Sequence, residues 1–408
     1  MIDRVRAALD ADGLGRWLSA MARPEPGEDY VGPLNQATWL AQYAVWGERP
    51  LPYRAFNVIV HGINSAFVLR LAGYWLRGRW SAPIAAALFL FSPLAVEHAV
   101  WAGGRGDLLG ATAALATINA YARFRRGGPA RWKWIAAAVY ALGLLASETL
   151  ALLPVVLLVG ERTGAFTIDR TRRIHWSALA PFALLAALFG AAWVWGGGSA
   201  PPMGLGPALR KIFIDAPSLY FAPLYPTPGR PEEFLRLAGQ GFMLMIVLLS
   251  GVTARGEGRS VTLALSLILM GTVGGLLFHT QKSMSAGWRP MYLPTVGFSL
   301  FLAQVLTPPP ESKRLRVSVK AASAAVLVLA SIWATARNQG PWTRLAEAMS
   351  AFEEQGARLL RASPPEARVH FIGYPVGRGI HVPGLTDLHP PPLTLARLAP
   401  EASAAPRP

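Results

Sequence analysis

The chain has 408 residues, 52% of them hydrophobic and 15% charged, with a mean hydropathy of +0.33. This is too apolar for an ordinary soluble domain and places the chain among polytopic membrane proteins. The absence of cysteine excludes disulfides, thiol catalysis and thiolate metal sites. The net charge of +16 does not point to nucleic acid, because many basic residues fall in short loops between apolar runs, as the positive-inside rule expects.

In chain order, residues 1–52 are expected to lie at the outer membrane–water interface. Ile2–Leu9 and Leu14–Met21 read as short amphipathic helices and Arg23–Gly32 as a Pro/Gly/acid-rich loop. Leu34–Trp46 is uncharged and apolar on one side. The polar first residues do not form a signal-peptide pattern. Residues 53–336 then divide into ten apolar runs, taking about 20 residues per crossing. The runs are about Tyr53–Trp75, Ser81–Val96, Leu108–Tyr121, Trp134–Ala146 and a short Thr149–Gly160, then Trp176–Trp195, Gly239–Val252, Val261–Phe278, Met291–Leu306 and Val317–Ala336. The long Pro/Gly-rich segment between the sixth and seventh runs has the length of a functional loop. In the third region, 337–408, Pro341–Leu360 reads as a surface helix. A Pro-rich tail follows, with one possible strand at Arg368–Tyr374.

Alternating the crossings puts every strongly Arg/Lys-rich short loop on one side. The stretch PLAVEHAVWAGGRGDLL (Pro93–Leu109), Glu148, the long loop, the Lys282–Arg289 loop and the tail then share the other side. The charge rule fixes this orientation without reference to chemistry, yet the candidate chemical residues gather on one face. Ionisable residues near a membrane core sit where function needs them. In the first run, Asn57, His61 and Asn64 occupy one helical face at i, i+4, i+7. That stripe is either hydrogen-bonding glue between helices or the wall of a polar cavity. Arg105 is either a functional cation or half of a surface ion pair with Asp107. Glu148 is either functional or a helix-start acid. The histidines His370, His381 and His389 lack metal-ligand spacing, so no metal site is expected.

Several of these stretches, in order, resemble one family. PLAVEHAVWAGGRGDLL is similar to the HPxHVEAVAWVSGRxDLL segment of GT-C superfamily glycosyltransferases, in the O-mannosyltransferase-like branch that often carries tetratricopeptide repeats. FNVIVHGINSA (Phe56–Ala66) resembles its NxxxHxxNA span, and LLASETLALLP (Leu144–Pro154) its LLSKExxxxLP turn. WRPMYLPTVGF (Trp288–Phe298) resembles ERxLYLPSVGF, and ARNQGPW (Ala336–Trp342) the RN-x-x-W close of the last span. The resemblance covers roughly Leu34 to Trp342. Departures from the pattern are Ser92 and Ala95 for the two histidines, Ser147 for the lysine, Trp288 for the glutamate, and Gly32 for the arginine of YRPL. The family also carries an earlier span followed by an acidic pair. This chain is expected to lack both, with Asp3 nearest to the position.

The resemblance implies an all-α, polytopic integral membrane bundle of GT-C type, with about ten transmembrane helices plus interfacial helices. It implies transfer of a sugar, with inversion, from a polyprenyl-phosphate carrier to an acceptor hydroxyl of a protein or glycan. The site would lie on the extracytoplasmic side of a bacterial inner membrane. Such a reaction needs a carboxylate to take the acceptor's proton, and the candidates are Glu97, Asp107 and Asp3. The phosphate leaving group needs positive charge, which arginine supplies as a planar fork. Arg105 and Arg289 are the candidates, with Lys282 and Arg210 weaker. Glu148, His61, His98 and Tyr292 complete the expected substrate-side set, with no cofactor. The competing classes are a non-catalytic membrane scaffold that has lost its base, and a transporter of a lipid-linked or small polar substrate.

Overall fold

The computed structural model describes residues 32–47, 49–76, 78–92, 94, 98–99, 104–167, 174–195, 206, 258–278, 291–307, 318, 320–336 and 358. The chain divides into two compact units, residues 1–284 with 288–335 and residues 285–287 with 336–408, and Ala336 and Arg358 are the described residues of the second. The described residues are helical, with no strand among them. The N-terminal amphipathic helices, the seventh run, most of the long loop, most of the Pro341–Leu360 helix and the Arg368–Tyr374 strand lie outside the described residues.

The elements are α1 (Pro33–Trp46), α2 (Pro50–Trp75), α3 (Ser81–Leu90), α4 (Arg105–Arg125) and α5 (Arg131–Leu144). A 3-10 turn (Glu148–Leu152) leads into α6 (Leu153–Thr163). Then come α7 (Trp176–Trp195), α8 (Gly258–Phe278), α9 (Tyr292–Leu306) and α10 (Lys320–Ala336).

Two apolar runs end differently from expectation. The second stops at Leu90 instead of reaching Val96. Its sequence stays apolar, but Ser92 precedes Pro93, and a residue before proline is pushed out of the α region. The fifth is not one helix from Thr149. A 3-10 turn comes first, and α6 starts at Leu153 with Pro154 in its first turn, where a missing N–H costs nothing.

Among the described helices α4 packs on α2 and α5, and α8 packs along α9. Small residues allow that approach. A Cβ at Gly297 of α9 would collide with the Ala264 carbonyl oxygen of α8, and one at Gly271 of α8 with the Pro294 ring of α9. Backbones in such contact suit association where no hydrophobic force separates helix from solvent.

In the middle of α2 polar residues point inward while apolar neighbours are exposed. Its buried face carries Asn57, His61 and Asn64, whereas Val58 is 55% and Ile59 62% exposed. Outward apolar and inward polar is the arrangement a lipid solvent selects. Among the described residues two helices are long and apolar enough to cross a membrane unaided, Leu51–Trp75 and Trp176–Trp195. Ser81–Leu90, Val261–Gly274, Tyr292–Leu306 and Lys320–Ala336 are apolar but shorter.

Two polar clusters mark the ends of α4, whose 21 residues run about 30 Å, close to a bilayer's hydrocarbon thickness. At the C-terminal end, buried Glu161 accepts from both Arg125 Nε and Arg125 Nη2, from Tyr121 Oη at 2.8 Å and from the His175 backbone N–H at 3.3 Å. Around it Arg123 stacks on Trp132 at 4.1 Å and Arg126 on Tyr74 at 4.9 Å. The N-terminal end holds the candidate site.

Candidate functional site

GRGDLL enters α4 directly: Gly104 is the cap residue, Arg105 the first helical residue, and Asp107 lies in the first turn, where a carboxylate complements the helix dipole. Residues two apart on a helix do not face each other. The two side chains therefore separate, and the surface ion pair weighed from sequence does not form. Asp107 Oδ2 sits 3.4 Å from His98 Nε2 instead.

Arg105 turns inward and is 0% exposed. Its guanidinium carbon lies 4.5 Å from the Trp39 ring centroid, 4.7 Å from that of Phe56 and 5.8 Å from that of Tyr53. Nε donates to Asn57 Oδ1 at 3.3 Å and Nη1 to Thr38 Oγ1 at 3.4 Å, while Nη2 is buried with no hydrogen-bond partner. Among the described residues its partners are thus neutral oxygens and aromatic faces. An arginine guanidinium does not lose its proton in proteins, so this buried side chain is a cation. A buried cation without a carboxylate is expensive unless an anion completes it.

The remaining described candidates connect to this arginine. Asn57 Nδ2 donates to the His98 carbonyl at 2.9 Å, so one amide bridges Arg105 and the His98 turn. The His98 ring packs 4.8 Å from the Tyr292 ring. Behind them, His61 Nε2 lies 3.0 Å from the Leu90 carbonyl and Nδ1 2.7 Å from Tyr292 Oη. A carbonyl only accepts, so Nε2 carries the proton and Nδ1 of the neutral ring accepts from the phenol. Tyr292 Oη in turn accepts from Asn64 Nδ2 at 3.1 Å, and the same Nδ2 reaches the Leu108 carbonyl at 3.2 Å. His61 and Tyr292 thereby tie α2 to α9, with Asn64 Oδ1 the buried atom of this network left without a hydrogen-bond partner.

Glu148 is buried at the start of the 3-10 turn. The turn is pressed onto α4 because Gly110 leaves room for it: a Cβ there would meet Ser147 Cβ at 2.6 Å. Glu97, Asp3, Arg289, Lys282 and Arg210 lie outside the described residues.

Sequence reasoning read α1 as an interfacial segment apolar on one side and missed its buried polar face. The helix is held at both ends, by Leu34 N–H to the Leu145 carbonyl at 2.9 Å and by Tyr53 Oη to the Gly47 carbonyl at 2.6 Å. Between these anchors its buried residues are Asn35, Trp39 and Gln42. The signal was present as polar residues at 35, 38 and 42, a stripe like that of α2. Glu161 was also missed, since a carboxylate ahead of Arg162 reads as the edge of a solvated loop.

Nothing in the described part of the site groups histidines and acids as a metal would require. No family model matches the chain, and no solved structure matches it. It is 32% identical over 113 residues to Protein O-mannosyl-transferase Tmtc2 of Drosophila melanogaster. That stretch is 26% of this chain and 12% of the fly protein's length. The similarity relates this chain, over part of its length, to a glycosyltransferase.

Proposed function

We propose that the chain is a GT-C-type membrane glycosyltransferase of about ten spans. It takes a sugar from a polyprenyl-phosphate carrier and passes it, with inversion, to an acceptor hydroxyl on a protein or glycan. The site faces the extracytoplasmic side of a bacterial inner membrane. The observation that carries this reading is Arg105, a fully buried guanidinium held by Asn57 and Thr38, stacked on Trp39 and Phe56, with Nη2 unpartnered. Such a cation is pre-organised for a phosphate oxygen, because its fork is fixed before the anion arrives.

In this mechanism Arg105 and Arg289 bind the phosphate and stabilise the charge that grows on it as the glycosidic bond breaks. The leaving phosphate is already acidic and needs no proton donor. The acceptor oxygen attacks the anomeric carbon from the opposite face, and a carboxylate takes its proton. Glu97 is the proposed base, with Asp107 and Asp3 as alternatives, and Glu148 is a further substrate-side group. The contacts of His61, His98 and Tyr292 favour positioning roles. Polyprenyl chains and membrane lipid occupy the apolar exterior, and neither a cofactor nor nucleic acid takes part.

Reconstituted protein with a polyprenyl-phosphate sugar and an acceptor tests this. Arg105→Met keeps an apolar stem against Trp39 and Phe56, and it should abolish transfer without lowering the amount inserted in the membrane. Unchanged transfer removes Arg105 from the mechanism. A second reading, binding without turnover, is favoured by one observation: Asp107 is engaged by His98. It predicts that wild-type protein binds the lipid-linked sugar yet transfers nothing.

A further inference from the structure

Of the buried side-chain polar atoms of the described residues that lack a hydrogen-bond partner, five belong to α1 and Arg105. They are Arg105 Nη2, Asn35 Oδ1, Trp39 Nε1, and both Gln42 Nε2 and Gln42 Oε1. Asn35, Trp39 and Gln42 share one face of α1 at i, i+4, i+7, over roughly 10 Å of helix. Trp39 lies against the Arg105 guanidinium, and the Asn35 amide lies 3.3 Å from where a Gly106 Cβ would stand. A helix normally turns its apolar stripe inward. Each buried polar group left unpaired costs stability, so a native protein keeps such a set where something else completes it.

The chemistry of the set narrows what completes it. Arg105 Nη2, Gln42 Nε2 and Trp39 Nε1 are donors; Asn35 Oδ1 and Gln42 Oε1 are acceptors. An oxyanion only accepts and would leave both oxygens unpaired. A metal cation would meet the oxygens and none of the donors. A hydroxyl both donates and accepts, so a polyol closes both halves.

We propose that the buried polar face of α1 is the subsite for the sugar ring of the lipid-linked substrate, beside the phosphate held by Arg105. This rests on the function proposed above and names a part of the site that the family-like motifs do not. Asn35 and Gln42 bind ring hydroxyls, and Trp39 Nε1 adds a donor between them. Ordered water has the same double hydrogen-bonding character, so the test separates sugar from water.

The test uses the full chain in nanodiscs and three probes: polyprenyl phosphate and its mannosyl and glucosyl esters. At least one ester is expected to bind about tenfold more tightly than the bare phosphate, the worth of one or two added hydrogen bonds. Gln42→Leu is expected to erase that gain while leaving affinity for the bare phosphate within about twofold, and to melt at or above the wild-type temperature, because it removes an unpaired buried amide. Gln42→Met provides the same comparison with a more flexible side chain. If no ester gains over the bare phosphate, or if the gain survives both substitutions, the subsite is water-filled and the inference is wrong. Failure of wild-type protein to bind any of the three probes would overturn the glycosyltransferase reading as well. Binding of the bare phosphate without an ester gain overturns the subsite alone.

Discussion

Arg105 and Asn57 are joined by a hydrogen bond of 3.3 Å from Nε to Oδ1, and the other end of the same amide holds the His98 carbonyl at 2.9 Å. One neutral side chain thus orients the cation without neutralising it. Asn57→Asp would place a carboxylate against the guanidinium and satisfy it internally. This variant is expected to fold and to lose affinity for polyprenyl phosphate. Asn57→Leu leaves two buried groups unpaired and should cost about 2–5 kcal/mol. Thermal unfolding in detergent and lipid-phosphate titration separate the two effects; an Asn57→Asp variant with wild-type affinity would contradict the role.

Tyr292→Phe probes the network behind the site. It keeps the ring contacts to Phe89 and His98, and Asn64 keeps the Leu108 carbonyl. Only His61 Nδ1 loses its donor. The expected loss is about 1–3 kcal/mol of stability, the cost of an orphaned buried group, with lipid-phosphate affinity unchanged. A large loss of affinity without destabilisation would instead give the phenol a direct role.

Glu161→Ala removes the acceptor that serves Arg125, Tyr121 and the His175 N–H. Breaking a buried ion pair from one side costs about 3–5 kcal/mol. Because this cluster lies at the opposite end of α4, the folded fraction should bind lipid phosphate normally. Thermal denaturation followed by titration of the surviving protein checks both parts.

Gly110→Ala should push the Ser147–Glu148 turn off α4, costing about 1–3 kcal/mol as overpacking does. Ser147→Gly in the same chain should restore part of it, since Ser147 Cβ and Oγ are two of the atoms the new methyl meets. Absence of rescue would mean that the turn is not held by this contact.

How far these features were legible depended on periodicity. Asn57, His61 and Asn64 were readable as a stripe because the residues around them are apolar, and α2 buries them together. The convergence of His98, Arg105 and Asp107 was readable as a cluster, but its pairing was not. Asp107 finds His98 because helix geometry turns it away from Arg105, and a motif read as a string has no such geometry. The inward role of α1 was hidden because its uncharged amides cost little at an interface, where the same segment was expected to lie. Its anchors are Leu145, far along the chain, and Tyr53, at the start of α2. The break at Leu90 was written in the Ser92–Pro93 step, which composition outweighed.

If Arg105 is the phosphate-binding cation proposed above, replacing it must weaken binding of the lipid phosphate. The most direct measurement is the affinity of purified protein in nanodiscs for polyprenyl phosphate, for wild type, Arg105→Lys and Arg105→Met. A loss of at least about 30-fold is expected for Arg105→Met, matching the lower end of the cost of removing one partner from a buried charged contact, and a smaller loss for Arg105→Lys, which keeps the charge but not the fork. Wild-type affinity in a folded Arg105→Met protein would contradict it.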